Sequence, residues 1–276
     1  MAQDDERAFA FLRFNPREPK PRRRGITEIR GPYYTPMGKR YLSDVLETAG
    51  AYVDALKFAG GSFAIMPRRA VRELIELAHQ HDVAVSTGGF IERVLSQGPA
   101  AVERYLLECK ELGFDVVELS AGFITLPLDD WRRLVERVRA MGLKATAEVG
   151  IQFGAGGAST PEALEAAGSS DVGWMIHRAR QLLEAGADRI MIESEGITES
   201  VRAWRTDVPA TVVEQLGLDN VMFEAADPAV FGWYVKNYGP DVNLFVDHGQ
   251  IVQLECLRSG MWGTNELWGR VQSYKG

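Results

Sequence analysis

ELGFDVVELSAGFITLPLDDWRRLVERVRAMGLKATAEVG, residues 111–150, decides the fold. It reads as a strand, a helix and a second strand. Leu112-Gly113-Phe114-Asp115 ends the preceding helix at a glycine, which accepts the left-handed conformation that stops helices. The apolar run Val116 to Ser120 follows as a strand. A helix runs from Leu128 to Met141, with Asp129 and Asp130 in its first turn, where the helix dipole favours acids. Met141-Gly142-Leu143 repeats the glycine stop, and Lys144 to Val149 is the next strand. Strands that alternate with helices in this way predict a parallel sheet.

The same alternation continues in both directions. Upstream lie strands Ile26 to Arg30, Val53 to Phe58 and Val83 to Thr87. Their helices run from Lys39 to Ala49, from beyond Pro67 to about Gln80, and from Pro99 to Leu112, with a short piece at Ile91 to Ser96. Downstream, a long Gly/Ala/Ser loop from Gly154 to Ser170 is a candidate lid. Beyond it come helix Val172 to Ala185, strand Arg189 to Glu193 and a helix near Val208 to Leu216. Strand Val221 to Glu224, helix Pro228 to Tyr238, strand Val242 to Val246 and a last helix from Gln250 to Ser259-Gly260 complete the series. Eight such units predict an α/β fold closed as a (β/α)8 TIM barrel over residues 25–276, preceded by an extended N-terminal arm, residues 1–24. The rival, a doubly wound open sheet, lacks its usual dinucleotide signature, because no GxGxxG follows the first strand.

A chain of 276 residues, 46% apolar and 25% charged, can bury one large core. A net charge of −7 argues against nucleic acid as a partner. The basic run Arg17, Lys20, Arg22, Arg23, Arg24, interleaved with prolines, reads as a solvated lead-in to the first strand in preference to an arm for an anionic ligand or partner. Cys109 and Cys256 have no metal-ligand spacing and are expected to be buried thiols. No apolar run reaches membrane-spanning length, so no membrane partner is expected. The polar stretch Met1 to Arg7 has no secretory pattern, and a reducing, cytoplasmic setting is the expectation.

In such a barrel the chemistry sits where the strands end. Those ends carry Glu28 and Arg30, Lys57, Thr87, Glu118 and Ser120, Glu148, Glu193 and Glu195, Glu224, Asn243, and Asp247 with His248. A ring of carboxylates repels itself unless cations neutralise it. One reading is a single divalent metal, Mg2+ by the oxygen donors, held by some of Glu118, Glu148, Glu193 and Glu224. The other is internal pairing with Arg30, Lys57 and one another. Lys57 ends an apolar strand and suits anion binding, proton transfer or a structural ion pair. Gly60-Gly61-Ser62 and Thr87-Gly88-Gly89 form turns whose backbone N–H groups can cradle a phosphate or carboxylate, or are plain tight turns. His248 beside Asp247 is expected to be structural. Ser120 has no evident histidine partner for a hydrolase triad. Trp204, Trp262 and Trp268 are expected to pack.

These strand-end residues carry a resemblance. The chain resembles the phosphosulfolactate synthase family, the ComA-like barrels. The matching stretches are Arg24-Gly25-Ile26-Thr27, Val53 to Phe58 with Lys57, Gly88-Gly89, Glu108 to Phe114, and Val117-Glu118-Leu119-Ser120. Glu148-Val149-Gly150, Ala185-Gly186-Ala187-Asp188, Phe223-Glu224-Ala225, Val242-Asn243-Leu244 and Leu254 to Arg258 continue them. It is similar above all to a branch that includes plant heat-stress-associated proteins, through Lys20-Pro21-Arg22-Arg23, Thr27-Glu28 and Val246-Asp247-His248 before Gln250-Ile251.

The resemblance implies Mg2+-dependent addition of sulfite to phosphoenolpyruvate, on the route to coenzyme M in methanogens. It implies a small anionic phosphorylated substrate and is compatible with a homo-oligomer. Sulfite would attack the methylene carbon while charge develops on the carboxylate, where a metal acts as a Lewis acid. A general acid then protonates the carbon bearing the phosphate. Lys57, Glu118 and Glu148 are the candidate catalytic residues. Arg30, Gly60, Gly61, Ser62, Thr87, Gly88, Gly89, Ser120 and Asn243 are the candidates for substrate binding.

The chain also departs from the family. Its synthases carry lysines after the Glu-Val-Gly turn; here those positions are Ile151 and Gln152, and neither can act as an acid. The family's Gly-Gly-Thr is Gly88-Gly89-Phe90, preceded by Thr87, and an acid expected near the end of the first strand is Arg30. Three readings follow. The first is a synthase in which Lys57 or another group replaces the acid. The second is a related lyase or isomerase on another phosphorylated or carboxylated molecule. The third is a non-catalytic stress-response barrel.

Overall fold

The computed structural model describes residues 7–156, 159–168, 170–262 and 270–274. Trp268 and the first residues of the arm lie outside them. Eight parallel strands close in sequence order, with β8 (Leu244–Asp247) pairing back onto β1 (Thr27–Arg30). Between these lie α1 (Lys39–Ala49), β2 (Ala55–Lys57), α2 (Arg68–Gln80), β3 (Ala84–Ser86), a short α3 (Ile91–Leu95) and α4 (Pro99–Leu112). They are followed by β4 (Val116–Leu119), α5 (Leu128–Ala140), β5 (Lys144–Val149), α6 (Pro161–Ala166), α7 (Val172–Glu184), β6 (Arg189–Ile192), α8 (Asp207–Leu216), β7 (Val221–Glu224) and α9 (Pro228–Tyr238). The last helix is α10 (Ile251–Arg258).

The glycine stops act as the sequence predicts. Gly113 has φ +98°, and its N–H returns to the carbonyls of Cys109 and Lys110. Each helix turns one apolar stripe toward the barrel; α2 buries Val71, Leu74, Ile75, Leu77 and Ala78. Burial of each large side chain stabilises the fold by roughly 1.5–3 kcal/mol.

The barrel interior has its own small apolar cluster of Ile26, Met191, Met222 and Phe245. Side chains two residues apart on a strand share a face. The next inward positions are therefore Glu28, Glu193, Glu224 and Asp247. An apolar floor thus lies directly beneath a charged layer, and this arrangement creates the site.

Several expectations are corrected. The stretch 154–170 is not all loop, because α6 lies within it, started by Thr160, whose side chain accepts from the Ala163 N–H at 3.2 Å, and by Pro161 in the first turn. Strand β2 is shorter than expected because a turn at Gly50–Tyr52 uses the residues before it. The basic arm is not simply solvated. Arg17 pairs with Glu255 at 2.8 Å and Arg22 with Asp54 at 2.9 Å, with each of these side chains at most 10% exposed. Lys20 Nζ donates to the His81 carbonyl at 2.9 Å. Asp54 and Glu255 lie near the entry ends of the strands and need counter-charge, so the arm is stapled across the closed end of the barrel. Arg23 and Arg24 remain exposed. Cys109 is buried as expected, but Cys256 is only partly so. Trp204 and Trp262 pack only in part, at 38% and 47% exposed. Among the described residues no helix is long and apolar enough to cross a membrane.

Candidate active site

A cavity of about 590 Å3 opens over the strand ends. Arg30, Lys57, Glu118, Glu148, Glu193 and Glu224 line it, with Gly60, Gly88, Gly89 and Ser120 on the rim. Register explains part of this convergence: Arg30 stands beside Lys57 on one side and Asp247 on the other.

Lys57 is the centre of the charge arrangement. Its Nζ lies 2.5 Å from Glu118 Oε2, 3.9 Å from Glu28 Oε2 and 4.1 Å from the centroid of the Phe245 ring. Burial alone would lower the ammonium, but Glu118, Glu28, Glu148 and Glu224 outweigh it and hold Lys57 above its ordinary value. Arg30 pairs with Glu224 at 2.9 Å and Asp247 at 3.4 Å, and stacks against Tyr34 and Phe245.

The carboxylates outnumber these cations. Burial, offset in part by Lys57, pushes Glu28 up to about 7. Burial, then the neighbouring Glu118 and Glu193, hold Glu148 well above the usual carboxylate range. Burial and Glu224 do the same to Glu193, against the hydrogen bond from the Glu195 N–H at 3.0 Å. Burial also raises Glu224, with Lys57 and Arg30 opposing. Neither Glu148 nor Glu193 forms an ion pair among the described residues.

The four expected metal ligands therefore share one mouth in two different states. Glu118 and Glu224 are occupied by Lys57 and Arg30, whereas Glu148 and Glu193 are not. Among the described residues no three His, Cys, Asp or Glu side chains come together as a metal cluster. The donor chemistry that remains, two carboxylates facing an open cavity, suits Mg2+, which commonly takes one or two carboxylates and completes its shell with water and substrate oxygens.

Other expected residues are placed elsewhere. Asn243 is a correction: it precedes β8 at the entry end of the barrel. Its side chain accepts from the Ile26 N–H at 3.0 Å and donates to the carbonyls of Leu218 and Val221 at 2.9 and 3.0 Å. Every polar atom is used, and none faces the mouth. Thr87 is fully buried, donating to the Gly88 carbonyl at 3.0 Å and accepting from the Glu118 N–H at 3.2 Å, so its hydroxyl fixes the strand carrying Glu118. Gly61 and Ser62 do not line the cavity either.

The glycines permit close packing. At φ +69°, a Cβ on Gly61 would overlap the Phe90 ring, and one on Gly60 the Tyr33 ring. A Cβ on Gly89 would come within 2.5 Å of Ser120 Oγ. His248 is held structurally, its ring nitrogens 3.0 Å from the Arg30 carbonyl and 2.9 Å from the Tyr41 hydroxyl.

The sequence reading passed over two side chains, Glu92 and Arg93, and gave Glu195, placed among the strand ends, no role. Glu92, 7% exposed, accepts from the N–H groups of Gly122, Phe123 and Ile124 and from the Ser120 hydroxyl at 2.6 Å, shaping the loop after β4. Glu195 receives the N–H groups of Gly156 and Ser159 and anchors the loop after β5. Arg93, on α3, reaches the rim without a carboxylate partner among the described residues. A glutamate opening a short helix and an arginine one residue later carry no local signal of these roles. Ile151 is fully buried, and Gln152 donates to the Leu164 carbonyl at 2.8 Å, so neither supplies an acid.

A closed parallel barrel with a charged mouth defines a small-molecule site of the kind (β/α)8 enzymes use. Residues 15–264 match the model of the (2R)-phospho-3-sulfolactate synthase (ComA) family, and the chain belongs to that family. It is 40% identical to the HEAT-STRESS-ASSOCIATED 32 protein of Arabidopsis thaliana, covering 94% of each chain. It is 28% identical to the phosphosulfolactate synthase of Methanothermobacter thermautotrophicus, covering 93% of this chain and 96% of that one. Among solved structures it is similar to 2,3-dimethylmalate lyase, a PEP mutase/isocitrate lyase superfamily member. That match has a TM-score of 0.53 and 16% identity, covers 87% of this chain and 85% of the other, and speaks to the fold alone.

Proposed function

We propose that this barrel adds sulfite to phosphoenolpyruvate to give phosphosulfolactate. The observation that carries the reading is the pair Glu148 and Glu193, carboxylates without a cation partner among the described residues, beside a cavity that already holds Lys57 and Arg30. A divalent cation that displaced the protons of these two carboxyls would favour a phosphorylated carboxylate in the mouth. Glu148 and Glu193 would hold Mg2+, which would supply Lewis-acid stabilisation of charge developing on the substrate carboxylate.

The chain's own groups do the rest. Sulfite forms a C–S bond to the methylene carbon, and the double-bond electron pair moves toward the carboxylate. A proton then arrives at the carbon bearing the phosphate, and nothing leaves. Lys57 stays protonated beside Glu118, and donation from an ammonium to so basic a carbon is downhill. Glu118 keeps the ammonium in place. Arg93 and Arg30 face the anionic ends of the substrate. An open mouth favours this reading over a non-catalytic barrel sealed by internal ion pairs.

The experiment is product formation from phosphoenolpyruvate and sulfite, with and without Mg2+. Metal-dependent turnover, lost by ~100-fold or more in Lys57→Met and Glu118→Gln, is expected for a positioned general acid. A folded, Mg2+-loaded protein without turnover overturns it. One observation favours a second reading: Ile151 and Gln152 stand where the resemblance places lysines. If Gln152→Lys confers sulfite addition on an inactive protein, the natural reaction is that of a related lyase or isomerase on another carboxylated anion.

A further inference from the structure

Beside the mouth, between α5, α7 and the end of β5, lies a second and much smaller cavity of about 50 Å3. Trp131, Trp174, Arg178, Gly150 and Gln152 line it, and Glu148 is shared with the mouth. The Arg178 guanidinium carbon lies 5.0 Å from the centroid of the Trp131 ring and 4.5 Å from that of Trp174, gripped by both indoles. No carboxylate pairs with it among the described residues, and burial pulls it below its ordinary value. Among the described residues its buried Nε has no hydrogen-bond partner, and neither has the buried indole Nε1 of Trp131.

These facts converge on one ligand class. Guanidinium and indole N–H groups are donors with no acceptor capacity. Two buried donors left open cost stability unless something accepts from them. The aromatic rings compensate the charge of Arg178 but not its N–H groups. A filling group must therefore bring acceptor oxygens, and the positive charge calls for an anion. The volume holds about three or four waters, enough for an ion of four or five heavy atoms and too little for a phosphorylated three-carbon acid.

We propose that Arg178, with the Trp131 indole N–H and the ring of Trp174, forms a binding site for a small inorganic oxyanion, of the sulfite, sulfate or phosphate class, separate from the mouth. Glu148 bounds the site on the mouth side and in its ionised form opposes an anion there. A cation on that ionised form therefore tightens binding. The site does not depend on the reaction proposed above. If that reaction holds, the position beside Glu148 makes sulfite the natural occupant.

The test is isothermal titration of the intact chain with sulfite, sulfate and inorganic phosphate separately, each with and without Mg2+. At least one ion is expected to bind saturably, and the three titrations identify which. Arg178→Gln weakens that binding tenfold or more, Arg178→Lys restores part of it, and Trp174→Leu weakens it less. Arg104→Gln, the same charge change at an exposed position, leaves it unaltered. Thermal melting confirms that each variant is folded; should Arg178→Gln fail to fold, Arg178→Lys and Trp174→Leu decide. Failure of all three ions to bind, with or without Mg2+, or an affinity indifferent to the substitutions at 178 and 174, overturns the proposal. Oxyanion binding without turnover would refute the synthase reading alone.

Discussion

Replacing Lys57 by Met tests the charge arrangement of the mouth most directly. The ammonium lies 2.5 Å from Glu118 and 3.9 Å from Glu28. At an effective dielectric near 20 the closer attraction is on the order of 6 kcal/mol, before the cost of stripping both ions of water. The loss in the variant has a ceiling, because an orphaned Glu118 can escape by binding a proton. Protonating an ordinary glutamate near pH 7.5 costs about 4 kcal/mol, and near pH 5 only about 1. Glu28, already pushed up to about 7, adds less than about 1 kcal/mol at either pH. Lys57→Met is therefore expected to cost ~3–4 kcal/mol near pH 7.5 and at most ~1.5 near pH 5. Urea unfolding followed by circular dichroism, with the slope checked for constancy, gives both values. Adding Glu118→Gln to the same chain should restore about 2 kcal/mol near pH 7.5. An equal cost at both pH values, or strict additivity in the double variant, would show that Lys57 acts by packing and not by charge.

Three further outcomes follow from the same structure. Glu28, Glu148, Glu193 and Glu224 are all displaced upward, so the folded state retains protons that the unfolded chain has released. Their contribution is full below the ordinary carboxylate range and is lost as pH rises through the folded values, near 7 for Glu28. The melting temperature should fall between pH 5 and 8, less steeply in Glu28→Gln, and Mg2+ should raise it at pH 8; a flat profile unmoved by Mg2+ contradicts the mouth as drawn. Asn243→Leu strands the Ile26 N–H and two carbonyls and is expected to cost about 2–3 kcal/mol while leaving ligand affinity intact. Altered affinity with unaltered stability would return Asn243 to the site. Gly61→Ala, which drives a methyl into Phe90, should cost ~2 kcal/mol, whereas Gly38→Ala, with no atom within 4 Å of the new methyl, should stay within ~0.5 kcal/mol in the same unfolding measurement.

The fold was legible because its signals are local. Glycine stops, first-turn acids and apolar strand runs each act over a few residues, and eight repeats of them leave little freedom of topology. The strand-end carboxylates were legible for the same reason, since the apolar residue two positions earlier fixes the face of Glu193 and Glu224. Helix α6 escaped because its six residues sit between Gly/Ala/Ser-rich runs that read as loop, although Thr160-Pro161 was a usable start signal. Glu92 and Arg93 escaped because nothing beside them in the chain announces the backbone that Glu92 holds or the cavity that Arg93 reaches.

The sequence by itself determined the closed barrel, the ring of carboxylates at its mouth and the absence of an acid at Ile151 and Gln152. It could not determine which cation neutralises which carboxylate. Arg17 finds Glu255 from 238 residues away, and Arg30 finds Glu224 from 194. Such partners meet only once the last strand has closed on the first. The same closure set Asn243 at the entry end and left Glu148, Glu193 and Arg178 without ionic partners among the described residues. Local sequence sets backbone conformation and the face each side chain takes; the electrostatics of a buried site depend on distances between groups remote in the chain, and only the tertiary structure fixes those.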